Sequence, residues 1–273
     1  MPEQAYLLSP PTLTGVVLTR DGERLIGKCL SSLCFCDAVL VVDSGSTDST
    51  IALAKEAGAT IVENPWPGFA AQFTFAATHV TTDWFFILDQ DECCSLELGE
   101  AIRQSILDAS QADNGPAKPP VAFSVSRRSW YFDRFMKHGG WYPDHILRVF
   151  KTGHVTFSQD AHIHYHPKGP SAHTNKGEII HYPYTGFDHQ LAKLNVYANQ
   201  GAEALKASGK KGGVIRGIGH AIARFFRIYI LKAGFLDGRA GFLAAAHGSF
   251  YAFCKYVRVL DASWGNPFDQ GKR

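Results

Sequence analysis

Through its first hundred residues the chain alternates short, continuously apolar runs with segments whose apolar positions recur every three to four residues. LTGVVLT (13–19), AVLVV (38–42), TIVE (60–63) and WFFIL (84–88) are the runs. Near-continuous apolarity suits parallel strands covered on both faces. Between them Leu25, Ile26, Cys29, Leu30 and Leu33 predict a helix over 23–33, and 49–57 predicts a second, capped by Ser46 or Asp48 and closed by Gly58. WPGFAAQFTFAATHV reads as a loop entering a third helix. Such strand–helix alternation predicts a three-layer α/β sheet built from right-handed crossovers. A helix at about 96–109 and then the polar linker SQADNGPAKPP close this half, which spans 13–110.

The pattern changes after the linker. Residues 122–126, 146–150 and 163–166 read as strands within a second half, 121–210, and 191–207 reads as a helix. Residues 1–210 are therefore expected to form one domain and 211–273 a helical extension. In that extension Ile218, Ile222, Phe225, Phe226, Tyr229 and Ile230 make a broad apolar face on a helix over 214–231, with Arg216, His220, Arg224 and Arg227 along one side. A second apolar helix is expected over 240–259. Basic, aromatic amphipathic helices of this kind suit an anionic bilayer surface, and packing against the sheet or in a homodimer is the alternative.

Composition narrows the function. The 273 residues are 45% hydrophobic and 19% charged, so the chain folds. A net charge of +2 is too small for a general nucleic-acid binder, so no nucleic-acid partner is expected. The six cysteines form neither a zinc knuckle nor a redox pair, which fits a reducing cytoplasm. Basic residues interrupt each apolar stretch of the tail, which disfavours a spanning helix, and the N-terminus lacks the pattern of an export signal.

The candidate chemistry lies at the strand ends, where ligands of open α/β sheets bind. The run Asp89-Gln90-Asp91-Glu92 follows a buried strand, and carboxylates two apart suit Mg²⁺ or Mn²⁺, hard cations that take oxygen ligands and keep substrate phosphates in their shell. A solvated acidic turn opening the next helix is the alternative. Asp43 ends another strand and can accept from a base or ribose, with Ser44, Gly45 and Ser46 as backbone donors. Neither GxGxxG nor a Walker P-loop is present, which argues against dinucleotide and P-loop sites.

These segments resemble the family 2, GT-A-type glycosyltransferases, and among them the bacterial lipopolysaccharide-core enzymes of the β-1,4-glucosyltransferase type. LTGVVLTRDGERLIGKCLSSL, VLVVDSGSTDSTIALAKEAGA, NPWPGFAAQFTFA, DWFFILDQDE, GGWYPDHILRVFKTG, HYPYTGFDHQLAKLNVYA and ARFFRIYILKAGFLDGRAG carry the likeness in order, from about residue 13 to 260. The resemblance implies a GT-A fold and an inverting, metal-dependent transferase that moves a hexose, glucose by the enzyme type, from a UDP-sugar to the inner core of lipopolysaccharide. Transfer to another lipid-linked or capsular glycan, or noncatalytic sugar-nucleotide binding, are the alternatives. It places the uridine at the first strand end, Thr19 and Asp21, and at Asp43, with Gln72 also on the donor side. Asp89 falls near the ribose and Asp91 on the cation. A lipid-linked saccharide acceptor implies work at the cytoplasmic face of the inner membrane, with peripheral contact through the C-terminal helices. The chain departs from the family pattern at Asp21 and Gly22, where Asn and Glu are usual, at Phe73 and Thr74 after Gln72, and at Ile163, where Glu is usual.

Inversion needs a base for the acceptor hydroxyl. Asp144, after the aromatic turn Gly-Gly-Trp-Tyr-Pro, is the first candidate, with Asp160 and His162 beside it; an Asx turn opening the following strand is the structural alternative for Asp144. Arg148 could reach the diphosphate, and His181 with Tyr182 could contact the diphosphate or acceptor.

Overall fold

The computed structural model describes residues 9–112, 118–159 and 163–260. They divide into two compact units. One comprises the residues up to Arg127 together with Asp144–His181, and the other Arg128–Pro143 with the residues from Tyr182 onward. The boundary expected near residue 210 falls inside the second unit.

The first unit is a mixed α/β layer structure of the GT-A type. β1 (Leu13–Thr19), β2 (Ala38–Asp43), β3 (Thr60–Glu63) and β4 (Trp84–Asp89) pair in parallel in the order β3-β2-β1-β4. All seven residues of β1 are buried. Alternation sorts them, with Leu13 and Val17 joining Phe86, Leu98 and Ile102 on one face and Val16 and Leu18 joining Phe73, Phe85 and Phe150 on the other. Burying each such side chain contributes about 1.5–3 kcal/mol. α1 (Ile26–Ser31), α2 (Thr50–Glu56), α3 (Phe69–Thr78) and α4 (Leu96–Gln111) cover these faces. α1 is shorter than its apolar spacing predicts. Residues 22 and 23 instead tie into the next loop, the Gly22 amide donating to Thr50 Oγ1 (2.7 Å) and the Glu23 amide to Asp48 Oδ2 (3.1 Å).

Beyond β4 the sheet turns antiparallel. β8 (Asp144–Lys151) pairs with β4, and β6 (Ala122–Tyr131) pairs with β8. β5 (Glu92–Cys94) pairs antiparallel with β12 (Ile179–His181), which sets His181 opposite Glu92. That register is held by Ser95, whose hydroxyl accepts from the Leu98 amide as the N-cap of α4 and from the Glu178 amide. β7 (Arg134–Phe135) closes a hairpin on the end of β6, β9 (Val155–Gln159) and β10 (Ile163–Pro167) form a separate ribbon, and β11 (Ser171–His173) joins β6.

In the second unit, α5 (Phe187–Ala207) begins four residues before the sequence pattern predicts. α6 (Val214–Phe226) runs into a π turn over Arg227–Leu231 and, after a 3₁₀ turn over Gly234–Asp237, α7 (Gly238–Arg258) follows. The buried carboxylate of Asp237 accepts from the amides of Lys137 (3.1 Å) and His138 (2.7 Å) and pairs with His138 Nδ1 (3.1 Å). These bonds fasten the chain after β7 to the start of α7. No helix among the described residues is long and apolar enough to cross a membrane.

Gly177 tests the register that places His181. Its φ is +71° and an added Cβ would lie 2.1 Å from the Leu98 backbone nitrogen. Gly177→Ala is expected to cost at least about 2–3 kcal/mol, because the conformation and the close approach both exclude a side chain. Thermal and urea unfolding measure this, and a loss under 0.5 kcal/mol, within the range of about ±0.5 usual for surface substitutions, would show that the turn relaxes freely.

Candidate functional site

The ends of β1, β2 and β4 converge, and two loops are cross-linked there through side chains. Gln90 folds back over β1, its Oε1 accepting from Thr19 Oγ1 (2.6 Å) and the Arg20 amide (2.9 Å), its Nε2 donating to the Arg20 carbonyl (3.1 Å). Asp21, at φ +47°, accepts through Oδ1 from the Thr47 amide (2.8 Å) while its own amide donates to Ser46 Oγ (2.9 Å). Asp43 is buried and accepts through Oδ2 from the amides of Gly45 (2.8 Å) and Ser46 (2.9 Å), and through Oδ1 from Ser46 Oγ (2.5 Å). It therefore closes an Asx-type turn that presents Ser44–Ser46 at the strand end. Gln72 is fully buried, donating to Ser44 Oγ and the Asn64 carbonyl (both 3.1 Å) and accepting from Asn64 Nδ2 (2.6 Å).

Beneath this mesh lies a cluster of charge. Arg148, 4% exposed, donates from Nη2 to Asp89 Oδ2 (2.7 Å) and Glu92 Oε1 (3.1 Å). Arg127 donates from Nη1 to Glu92 Oε1 (3.1 Å) and from Nε and Nη2 to Asp144 Oδ2 (2.9 and 2.8 Å). Glu92, 0% exposed, thus sits between two guanidinium groups and also accepts from the Asp89 amide (3.0 Å). Burial pushes the Glu92 carboxyl up to about 7 against the pull of Arg148, with the charge of Asp89 adding to the rise. Burial also opposes ionisation of Asp89, but the Arg148 guanidinium outweighs it and holds that carboxyl below its usual range. Asp91 stands at the rim, its Oδ1 3.7 Å from His181 Nε2.

Asp43, Asp89, Asp91, Arg148, His181 and Asp144 all belong to the first unit. The Arg148 guanidinium is buried on Asp89 and Glu92 through Nη2, so it anchors the acidic strand end. Gln72 likewise is a buried brace of the Ser44 loop. Asp160 and His162 lie outside the described residues. Sequence reasoning gave no role to Glu92, Arg127 or Gln90. For Gln90 a signal existed in Gly22, where Glu is usual: a Cβ there would lie 2.5 Å from Gln90 Oε1, so the small residue leaves room for the glutamine clamp. The paired arginines of SVSRRSWY, at a strand position facing an acidic strand end, were the signal for Arg127.

The donor set fits a hard cation in charge and falls short of a closed cage. Four carboxylates, Asp89, Asp91, Glu92 and Asp144, stand against two guanidinium groups, and among the described residues no group of three or more His, Cys, Asp or Glu gathers at metal-binding distances. Mg²⁺ sites that share substrate phosphates commonly use one or two protein ligands and keep several waters. Asp91 supplies one such carboxylate, and the His181 nitrogen beside it is a ligand that Mn²⁺ accepts more readily than Mg²⁺.

Residues 16–115 match the family described as glycosyl transferase family 2. The chain is 29% identical over 259 residues, 90% of its length and 91% of the relative's, to the lipopolysaccharide core biosynthesis glycosyltransferase LpsC of Rhizobium meliloti. It is 27% identical over 261 residues, 92% of this chain and 90% of the relative, to the uncharacterized glycosyltransferase RC0292 of Rickettsia conorii. Among solved structures, S. aureus TarS 1-349 in complex with UDP-GlcNAc is similar with a TM-score of 0.48 and 12% identity, covering 89% of this chain and 81% of that one.

The charge cluster dictates a pH dependence of stability. Glu92, raised from 4.5 to about 7, loses its proton first in the unfolded chain, so its contribution falls as pH rises between those values. Asp89, lowered from 3.8, contributes stability above that value that is lost as pH falls toward its folded pKa. Glu92→Gln is expected to flatten the decline between pH 4.5 and 7 in urea unfolding, and an unchanged slope would assign it to other groups. Arg148→Met, which strands two buried carboxylates, is expected to cost about 3–5 kcal/mol at neutral pH.

Proposed function

We propose the following activity for this family 2 glycosyltransferase, a relative of the bacterial lipopolysaccharide-core enzymes. It moves a hexose, glucose in the first instance, from a UDP-sugar to the inner core of lipopolysaccharide with inversion at the anomeric carbon. The observation that carries the reading is the acidic end of β4, where Asp91 meets His181 while Asp89 and Glu92 are braced by Arg148. Asp91 and His181 would hold Mg²⁺ or Mn²⁺, and the cation would supply charge compensation to the departing diphosphate. Thr19, Asp21, Asp43 and the Ser44–Ser46 turn are assigned to the uridine side and Asp89 to the ribose. Gln72 and Gln90 keep those loops in place.

Asp144 is assigned as the base. Arg127 engages only its Oδ2, so Oδ1 is left without a protein partner among the described residues to take the acceptor proton. An anchored carboxylate with one oxygen presented is oriented for proton transfer. The acceptor is carried on lipid, and the enzyme works from the cytoplasmic face of the inner membrane, which it contacts peripherally through its C-terminal helices.

A donor screen that follows nucleoside diphosphate release, with and without a heptose-containing core acceptor, tests the activity. UDP-glucose with the core acceptor is expected to give the fastest release, and release that ignores the acceptor would overturn the transfer reading. Asp91→Ala is expected to lower turnover by about 100-fold or more, on the scale of losing one electrostatic stabiliser, and turnover unaffected by EDTA would remove the metal role. Asp144→Asn is expected to lower kcat by about 10²–10⁴-fold, the usual range for a general base, with donor KM nearly unchanged.

A further inference from the structure

The apolar stripe of α6 faces outward. Ile215 (87% exposed), Ile218, Ile222 (65%) and Phe226 fall on one side at 100° per residue, and Ile230 and Leu231 (70%) continue it through the π turn. The side that packs on α7 combines small, polar and aromatic residues. A Cβ at Gly217 would lie 3.2 Å from the Phe253 ring, Ser249 Oγ donates to the Ala221 carbonyl (2.9 Å), and the Arg224 guanidinium lies 5.0 Å over Tyr251. Phe225 and Tyr229, expected on the outer face, are half-buried against Phe242 at 5.8 and 5.9 Å, whereas Arg224 stays exposed while its guanidinium reaches Tyr251. The unit's own core thus has no use for the outer stripe.

The stripe ends at a second exposed group. The 3₁₀ turn points Phe235 and Leu236 outward, and the β6–β7 hairpin lies against the same corner, with Arg239 5.9 Å from the Phe132 ring and 3.5 Å from Asp133. Phe132 is 58% exposed at φ +60°, a backbone region that bulky side chains rarely adopt. Strain of this kind persists where the surroundings impose it and points to a use for the residue. From Ile215 to Leu231 the stripe is about 24 Å long at 1.5 Å per residue.

Charge selects the occupant. Between Glu203 and Asp237 the chain has no acidic residue and seven basic ones, among them Lys210, Lys211, Arg216, Arg227 and Lys232. The nearby Asp133 is already paired with Arg134 (2.9 Å) and Arg239. A second copy would bring two such basic edges together, whereas an anionic leaflet complements the charge and accepts the apolar side chains.

Resting on the reading that the acceptor is lipid-borne, we infer that the strip from Ile215 along α6, through Leu236 to the tip at Phe132, is the surface on which the protein lies on an anionic bilayer, with Phe132 as an inserted wedge. Sedimentation of the full chain with vesicles of 3:1 phosphatidylcholine and phosphatidylglycerol, and with phosphatidylcholine alone, tests it. The wild type is expected to bind the anionic vesicles. Arg216→Gln with Arg227→Gln should lower partitioning to them by about fivefold per charge, at about 1 kcal/mol each, and leave the neutral vesicles unaffected. Phe132→Asn, which keeps a residue tolerant of positive φ, should lower binding to both by about tenfold or more, as burial of an aromatic side chain requires. Ile218→Gln with Ile222→Gln should do the same.

Melting curves and turnover of a short soluble acceptor should match the wild type in all these variants. Wild-type and variant partitioning that are equal, or no sedimentation at all, would overturn the inference. So would a concentration-dependent dimer that the same substitutions abolish, since the strip would then be a self-interface. Vesicle binding without acceptor-dependent transfer would instead sink the proposed activity and leave the surface standing.

Discussion

Two buried guanidinium groups make the acidic end of β4 possible. Carboxylates that share a guanidinium in a poorly solvated pocket repel one another, and removing one partner from a buried ion pair costs about 3–5 kcal/mol. Arg148 spans Asp89 and Glu92, Arg127 spans Glu92 and Asp144, and Glu92 is the hinge of both. The antiparallel strands β8 and β6 deliver these arginines. Arg127 stands directly opposite Asp144 in their register, so the strand pairing itself places base candidate and counter-charge together. Asp91 stands at the rim, where His181 comes alongside.

This arrangement gives one network two duties. It makes the acidic strand end stable enough to exist, and it fixes the direction in which each carboxylate points. Asp89 is held from behind and Asp144 by one oxygen, while Asp43 is occupied by its own turn. Preorganisation of this kind keeps charged groups aligned without relying on substrate to order them.

The parallel strands and the acid-bearing strand ends were legible because each depends on a local pattern: a continuously apolar run, a period of two, a carboxylate at its end. The supporting contacts were not, since they are made across the sheet. Nothing within DQDE distinguishes Glu92, fully buried, from Asp91, partly exposed; the difference arises when β12 and the two arginines arrive from 35 to 90 residues away. The helix expected over 23–33 covers only Ile26–Ser31, and the amides of Gly22 and Glu23 before it bond Thr50 and Asp48 across the neighbouring loop, contacts that no local pattern announces. For α6, helical spacing correctly groups Ile218, Ile222 and Phe226, but spacing says only which residues share a face. Which face is covered was decided by α7, whose Phe253 takes the side with Gly217.

The clasp of Asp237 on the amides of Lys137 and His138 also bears on how the chain is made. The segment it fastens precedes it by about a hundred residues. At a synthesis rate of about 5–20 residues per second, the β6–β7 hairpin and the Gly-Gly-Trp turn leave the ribosome roughly 5–20 s before their anchor exists. During that interval Tyr131, Met136 and Trp141 lack Ala240 and Ala244 of α7, with which they form a core cluster. A nascent chain paused short of residue 237 would therefore present a sticky aromatic loop, and chaperone engagement on this protein should concentrate there.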